Sequence, residues 1–352
     1  MSPRQQARLL SRLEREHGPG VRKAFEQAIR DMRADVDLGG LERAIVARDI
    51  GAAMAAIAIA EPVFRDFERE LVRAFEDAGR AFTDLFPKRL KDSRGLRVVF
   101  RYDMRHPEAE RWIRREAAWL VTRIVEDQRA AIREYLADAL QRGVNPRTAA
   151  LELAGRVNPS TGRRTGGILG LSSPQARYAA SARAELLSGD LDALRTYLGR
   201  SRRDKRFDAS VRAAINEGRA LPRTIADKAA GRYADRLLQT RAETVSRTET
   251  LNALRSGQHQ AFTQGAETAG VDSRDVTRVW DASGDSRTRT THALADGQTV
   301  SGPDAPFRVG GYPMRYPGDG SLGAPARETI QCRCIAAYRV DFIGALAREE
   351  AA

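Results

Sequence analysis

The sequence predicts a mainly α protein, with an elongated helical N-terminal region followed by a small α+β C-terminal domain of short strands. Three observations lead there. Apolar residues recur at three- and four-residue steps through most of the chain ahead of Val276. Aromatics are 6% of the 352 residues and charged residues 30%, a balance that suits amphipathic helices with wet faces better than one large packed globule. From Val276 onward short β-like runs alternate with glycine and proline. The length suffices for two or three domains. The expected spans are 1–150 (helical, docking), 151–235 (basic and helical with a glycine-rich loop), 236–340 (α+β) and 341–352 (tail).

Residues 1–86 read as helices. In 61-EPVFRDFERELVRAFEDAGRAFTDLF-86, Val63, Phe64, Phe67, Leu71, Ala74, Phe75 and Phe82 make an apolar stripe that faces a partner helix, with Pro62 in the first turn. After the break 87-PKRLKDSRG-95, the run 97-RVVFRYD-103 has strand-like branching and alternation. One long helix is expected from Pro107 to Gly143, burying Trp112, Ile113, Trp119, Leu120, Ile124 and Ile132 and pairing Glu126 with Arg129 on its wet side. Another starts at Pro146. The stretch 156-RVNPSTGRRTGGILGLSSPQ-175 is a long loop whose glycines and arginines could cradle a phosphate or dock on a protein. Residues 222–268 form one or two helices. Strands are expected at 276-VTRVW-280, 298-QTV-300, 306-PFRVGG-311 and 334-CIAAYRV-340, with a tight turn between strands at Asp296-Gly297 and a frayed helix or tail over the last ten residues.

The net charge is +12, and only five of the 59 basic residues are lysine. Residues 151–235 hold 16 basic and 9 acidic residues, whereas 236–352 hold 14 of each. The excess therefore sits in the middle of the chain, where 200-RSRRDKRF-207 and the pair Arg163 and Arg164 form the best polyanion candidates: Arg200, Arg202, Arg203, Lys205 and Arg206. No aromatic platform lies beside them, so phosphate tracking or an acidic protein partner fits better than base reading. The opening 18 residues are charged throughout, unlike a signal peptide. The most apolar run, 51-GAAMAAIAIA-60, has half the roughly 20 residues a spanning helix needs, so no membrane partner is expected. The two cysteines, Cys332 and Cys334, form one Cys-x-Cys, and a bridge between them would be strained.

The polar residues cluster late: Arg247, Thr248 and Glu249 in 246-SRTET-250, then Asp281, then Asp285, Arg287, Arg289 and His292 in 285-DSRTRTTH-292, with Asp296, Asp319 and Glu328 further on. Three readings are open. His292 could act as general acid or base, with Asp285 and arginines such as Arg289 around a phosphate. Alternatively, His292, Cys332 and Cys334 could ligate zinc, with Asp285 or water as the fourth ligand and the two thiols falling on one face of a strand. The third reading is a structural clamp, in which Arg247 or Glu249 reaches into the Asp285–His292 loop and arginine–carboxylate pairs fix what a small apolar core cannot. The clamp is the preferred reading; no cofactor is expected, with zinc as the alternative.

The pieces 247-RTE-249, Trp280, 285-DSRTRTTH-292, 296-DGQ-298, 306-PF-307, 316-YPGD-319 and 332-CRC-334 stand in the order seen in the phage Mu F-like domain, which this chain resembles from about Arg241 to Val340. The helical region ahead of it, including 167-GILGLSSPQ-175, also resembles the amino-terminal part of such proteins. Ala295, where a larger apolar residue often precedes Asp-Gly, is a small departure. The resemblance implies a minor head (head morphogenesis) protein of a tailed phage, made in the host cytoplasm and housed inside the head near the portal. Its implied partners are the portal protein, scaffold or major capsid protein, and phage DNA bound non-specifically. It implies no enzymatic activity; the competing expectation is a head-carried nuclease using Asp285, Arg289 and His292.

Overall fold

The computed structural model describes residues 2–91, 95–272 and 275–342. Most helices form where the stripes predict them: α1 (Pro3–Ala34), α2 (Leu38–Val46), α3 (Ile50–Ile57), α4 (Arg65–Thr83), α5 (Pro107–Trp112), α6 (Ala118–Gln141), α7 (Pro146–Ala154), α8 (Ser173–Leu187), α9 (Leu191–Gly199), α10 (Asp208–Asn216) and α11 (Arg223–Thr268); two short ones, α12 (Thr290–Leu294) and α13 (Ala326–Thr329), fall where loop was expected. The strands are β1 (Arg156–Val157), β2 (Arg164–Thr165), β3 (Val276–Asp281), β4 (Thr299–Ser301), β5 (Phe307–Val309), β6 (Tyr312–Met314) and β7 (Ile335–Val340). The architecture is mainly α with late antiparallel strands, as the sequence predicts. It falls into two compact units, each drawn from separated segments: Met1–Lys23, Phe67–Trp119 and Thr244–Ala352 in one, Ala24–Asp66 and Leu120–Glu243 in the other.

In the second of these, Asp37 and Asp49 start α2 and α3 by accepting from Gly40 N and Ala52 N, both at 2.9 Å. Phe25, Ile29, Leu41 and Phe64 form its core. The glycine-rich loop does not hold an open cradle. The backbone donors of Gly166 and Gly170 are already bonded to the Asp235 carboxylate (2.7 Å) and the Gln128 amide oxygen (2.6 Å). Its carbonyls are taken as well. Buried Arg33 donates to Gly167 O (2.8 Å) and Leu169 O (2.9 and 2.7 Å), and Arg241 donates to Gly170 O and Asp127 (3.0 Å each). The loop buries Ile168, Leu169 and Leu171, and guanidinium groups pin its backbone as well.

The first unit carries the aromatic core. Phe75 of α4 stacks on Trp112 at 4.3 Å, and Phe86 meets the edges of Phe100, Phe262 and Phe342. Along α11, Gly257 and Gly265 lack the Cβ that would collide with the Phe75 carbonyl and the Phe86 ring. The chain over 97–103 is extended but is not a strand: only an isolated Lys91–Arg97 bridge forms. Its alternation instead sends Phe100 against Phe86 and Tyr102 against Phe75. The single helix expected from Pro107 is interrupted by a π turn at Ile113–Ala117. One extra residue in that turn rotates the stripe by roughly 100°, which is why Trp119 is 53% exposed rather than buried. Arg129 donates to Ile59 O (3.0 Å) instead of pairing with Glu126.

All four expected strand regions form. The order β4-β3-β7 is antiparallel, with Val276 opposite Val340 and Asp281 opposite Ile335; β5 and β6 form a separate hairpin. The helix α11 packs on β7: Phe262 stacks on Tyr338 at 4.5 Å and Gln258 donates to Ala336 O. The Gln6 side chain of α1 occupies both backbone groups of Tyr338, donating to its carbonyl (2.7 Å) and accepting from its N–H (2.9 Å). That closes part of the β7 edge to another strand. The Asp296-Gly297 turn links α12 to β4. The expected tail, 341–352, lies almost wholly outside the described residues.

Candidate metal centre and its polar frame

The strand β3 buries Val276, Arg278 and Trp280 on one face. Trp280 presents its ring to the edge of His292 at 5.6 Å and 82°. His292 is placed by a local turn. The Asp285 carboxylate accepts from Arg287 N (2.9 Å), and Thr288 Oγ1 accepts from Asp285 N (3.1 Å), so 285-DSRT-288 folds back on itself before α12. The thiols come from the turn ahead of β7, where Gln331 adopts a left-handed φ of 54°. Its N–H donates to Thr248 Oγ1 (3.0 Å) and its side-chain amide to Thr244 Oγ1 (2.9 Å), both on α11.

This brings three buried side chains together. His292 Nδ1 lies 3.4 Å from Cys334 Sγ and 3.6 Å from Cys332 Sγ, and all three ligand atoms fall within 4.8 Å of one another. The other ring nitrogen, Nε2, faces Glu328 Oε2 at 3.2 Å. Thr291 Oγ1 donates to that same oxygen at 2.8 Å. Gly310, at φ 58°, leaves room for the Glu328 carboxyl, which a Cβ would crowd. Arg255 of α11 donates to the carbonyls of Cys332 (2.8 Å) and Cys334 (2.7 Å), fixing the backbone that carries both thiols. A hydrogen bond from Cys334 holds the Cys332 thiol well below its usual range, with the Arg255 charge adding to it; Cys334, as donor, is pushed up. Both cysteines are free thiols.

The remaining clamp residues go elsewhere. Arg247 forms its ion pair with Glu14 of α1 (3.3 Å), on its own side of the helix, not with the Asp285–His292 loop. Glu249 is half-buried on α11. Asp285 pairs bidentately with Arg333, which draws its carboxyl below the ordinary range. Arg289 caps the carbonyl of Ile330, and Arg287 is exposed. Arg278 does much of the clamping, and the sequence reading missed it. Arg278, fully buried, donates to Gly302 O (2.8 Å) and to the carbonyls of Arg315 and Ala305. Asp319, also buried, accepts from Arg315 N (3.0 Å) and Ser321 N (2.9 Å) and so shapes the YPGD turn. Arg278 was detectable: it occupies an inward position of an alternating strand, where only a paired charge is tolerated. Asp319 and Glu328 stood among the polar candidates of the sequence, though nothing local assigned their partners.

The basic stretch is not a helix. Residues 200–204 turn, and Lys205–Phe207 is a short 3-10 segment. Asp204, 1% exposed, organises it: Arg206 (2.6 Å), Arg232 (3.5 Å) and Arg236 (3.6 Å) converge on its carboxylate, and the Arg206 hydrogen bonds, with the Arg236 charge, hold it far below the usual range. Arg200 pairs with Glu185 (2.6 Å) and Arg203 bidentately with Asp208 (2.9 Å). Arg202 donates to Thr240. Arg163 is exposed, and Arg164 donates to Gly155 O. Among the described residues, Arg163, Arg164, Arg202 and Lys205 have no carboxylate within ion-pair distance.

Residues 205–337 match the family model of the phage Mu protein F like protein. The match begins well ahead of Arg241, taking in α10 and α11, and runs through both cysteines. No curated protein and no solved structure matches the chain. No described helix is long and apolar enough to cross a membrane.

Proposed function

We propose, from the phage Mu F-like character of residues 205–337, that the chain is a minor head protein of a tailed phage or phage-like particle. In this reading it docks on the portal inside the head during procapsid assembly and touches packaged DNA non-specifically. The family match is the observation that carries it. The pinned loop and helical faces of Ala24–Asp66 and Leu120–Glu243 supply a preorganised docking surface, which lowers the ordering cost of binding. The cluster around His292 has a structural role here. At 1% exposure, its imidazole is withdrawn from any phosphodiester in solution, which disfavours the nuclease alternative. Internal ion pairs reduce the charge that 200–206 offers to DNA and leave the unpaired cations Arg163, Arg164, Arg202 and Lys205 to make the contact.

Co-expression with the portal protein tests the main claim. The full chain should co-purify with portal rings and appear at the portal vertex of imaged procapsids. Particles that assemble with the chain absent from the vertex would overturn it. The DNA contact predicts an affinity that falls steeply with salt, as counterion release requires; a salt-independent affinity would refute that part alone.

A further inference from the structure

We infer that His292, Cys332 and Cys334 form a zinc site, with Nδ1 and the two Sγ atoms as ligands and Glu328 as the carboxylate that orients the imidazole.

The two N···S edges match those of a zinc tetrahedron. Zn–S of about 2.3 Å and Zn–N of about 2.0–2.1 Å set N···S edges of roughly 3.6 Å. The two N···S distances are 3.4 and 3.6 Å. The donor set of two thiolates and one imidazole selects zinc over magnesium or calcium, which take oxygen. Two thiolates also cancel the metal's double positive charge, so the loaded site adds no net charge to an interior that would penalise it. The surroundings are built as metal sites are built. A ligating histidine turns its second nitrogen to a carboxylate, and here Glu328 stands 3.2 Å from Nε2, itself held by Thr291. Arg255 locks the peptide carbonyls on either side of the Cys-x-Cys. The described residues offer three ligands, so the fourth position falls to water or to a ligand from a partner.

This site is independent of portal docking and stands or falls by itself. The full chain, purified from zinc-supplemented medium, should retain about one zinc per chain by elemental analysis. Replacing zinc with cobalt should give thiolate-to-cobalt charge transfer and the intense visible bands of a tetrahedral ion. C332S and C334S should each lose the metal. Should either fail to fold, E328Q keeps all three ligands and should bind about 10–100-fold more weakly, while in the wild-type chain zinc should shield both thiols from alkylation until a chelator removes it. Retention of no metal, equal alkylation with and without zinc, or a cobalt spectrum unchanged in folded C332S and C334S would each overturn the assignment.

Discussion

The stretches 200-RSRRDKRF-207 and 285-DSRTRTTH-292 look alike as sequence, since both mix arginines with a single aspartate, yet they fold to opposite ends. In the first, the aspartate goes inside and the arginines converge on it from the surface. In the second, Asp285 stays at the rim with Arg333, Arg287 stays exposed, and the imidazole of His292 goes inside to meet two thiols. The difference shows that the density of charge in a segment says little about its role. What matters is which group is desolvated and which partner, distant in sequence, meets it there.

The comparison can be sharpened by removing one interaction at a time. The largest effect is expected at Arg33. R33M would leave the carbonyls of Gly167 and Leu169 buried without their donor, costing about 3–5 kcal/mol. Denaturant unfolding should report the loss, and amide exchange should speed up first at 167–171. Next, D204N removes the carboxylate that gathers Arg206, Arg232 and Arg236. Because those arginines are substantially exposed, solvent screening limits the cost to about 1–2 kcal/mol. The same variant should bind duplex DNA more tightly at low salt, with a slope against log salt steeper by about one. An unchanged slope would place the DNA contact outside this cluster.

A third effect depends on pH. Burial, reinforced by Arg278 and Arg315, lowers His259 to about 3, against about 6.5 for a free imidazole. Between those values the unfolded chain takes up a proton that the folded ring refuses. Stability should therefore fall as pH drops below about 6.5, by up to about 1.4 kcal/mol per pH unit. The depressed Asp204 carboxyl adds its own loss only further into acid, below the ordinary aspartate value near 3.9. A pH series of thermal midpoints for H259Q should be flatter than wild type above about pH 5; parallel curves would assign the acid sensitivity elsewhere. The smallest effect belongs to R287A. That side chain is exposed, and its removal should change stability by no more than about 0.5 kcal/mol, which a calorimetric comparison with R278A would make plain.

Much of the fold was legible because it rests on local period. The stripe of Phe67, Leu71, Phe75 and Phe82 marks α4, and alternation marks β3 and β7. Period fails where the backbone changes it, as at the π turn ahead of Trp119, or where an alternating run lacks a strand to pair with, as at 97–103. Of the site, the sequence offered His292, Cys332 and Cys334 as one set of ligands among several readings, because imidazole and thiol chemistry is visible in the residue types. The chosen clamp partners, Arg247 and the 285–292 loop, were not the ones that met.

The sequence by itself determined the mainly helical character, the late strands and the likeness of the late region to the phage Mu F-like domain, since propensity, period and motif order act over neighbouring residues. Only the tertiary structure decided that Gln6 meets Tyr338, that Glu328 stands behind His292, and that Arg333 rather than Arg247 answers Asp285. Those pairs lie 332, 36 and 48 positions apart. Nothing local ties such residues together, and each meeting is set by how elements bury their apolar faces and by the requirement that no desolvated charge be left alone.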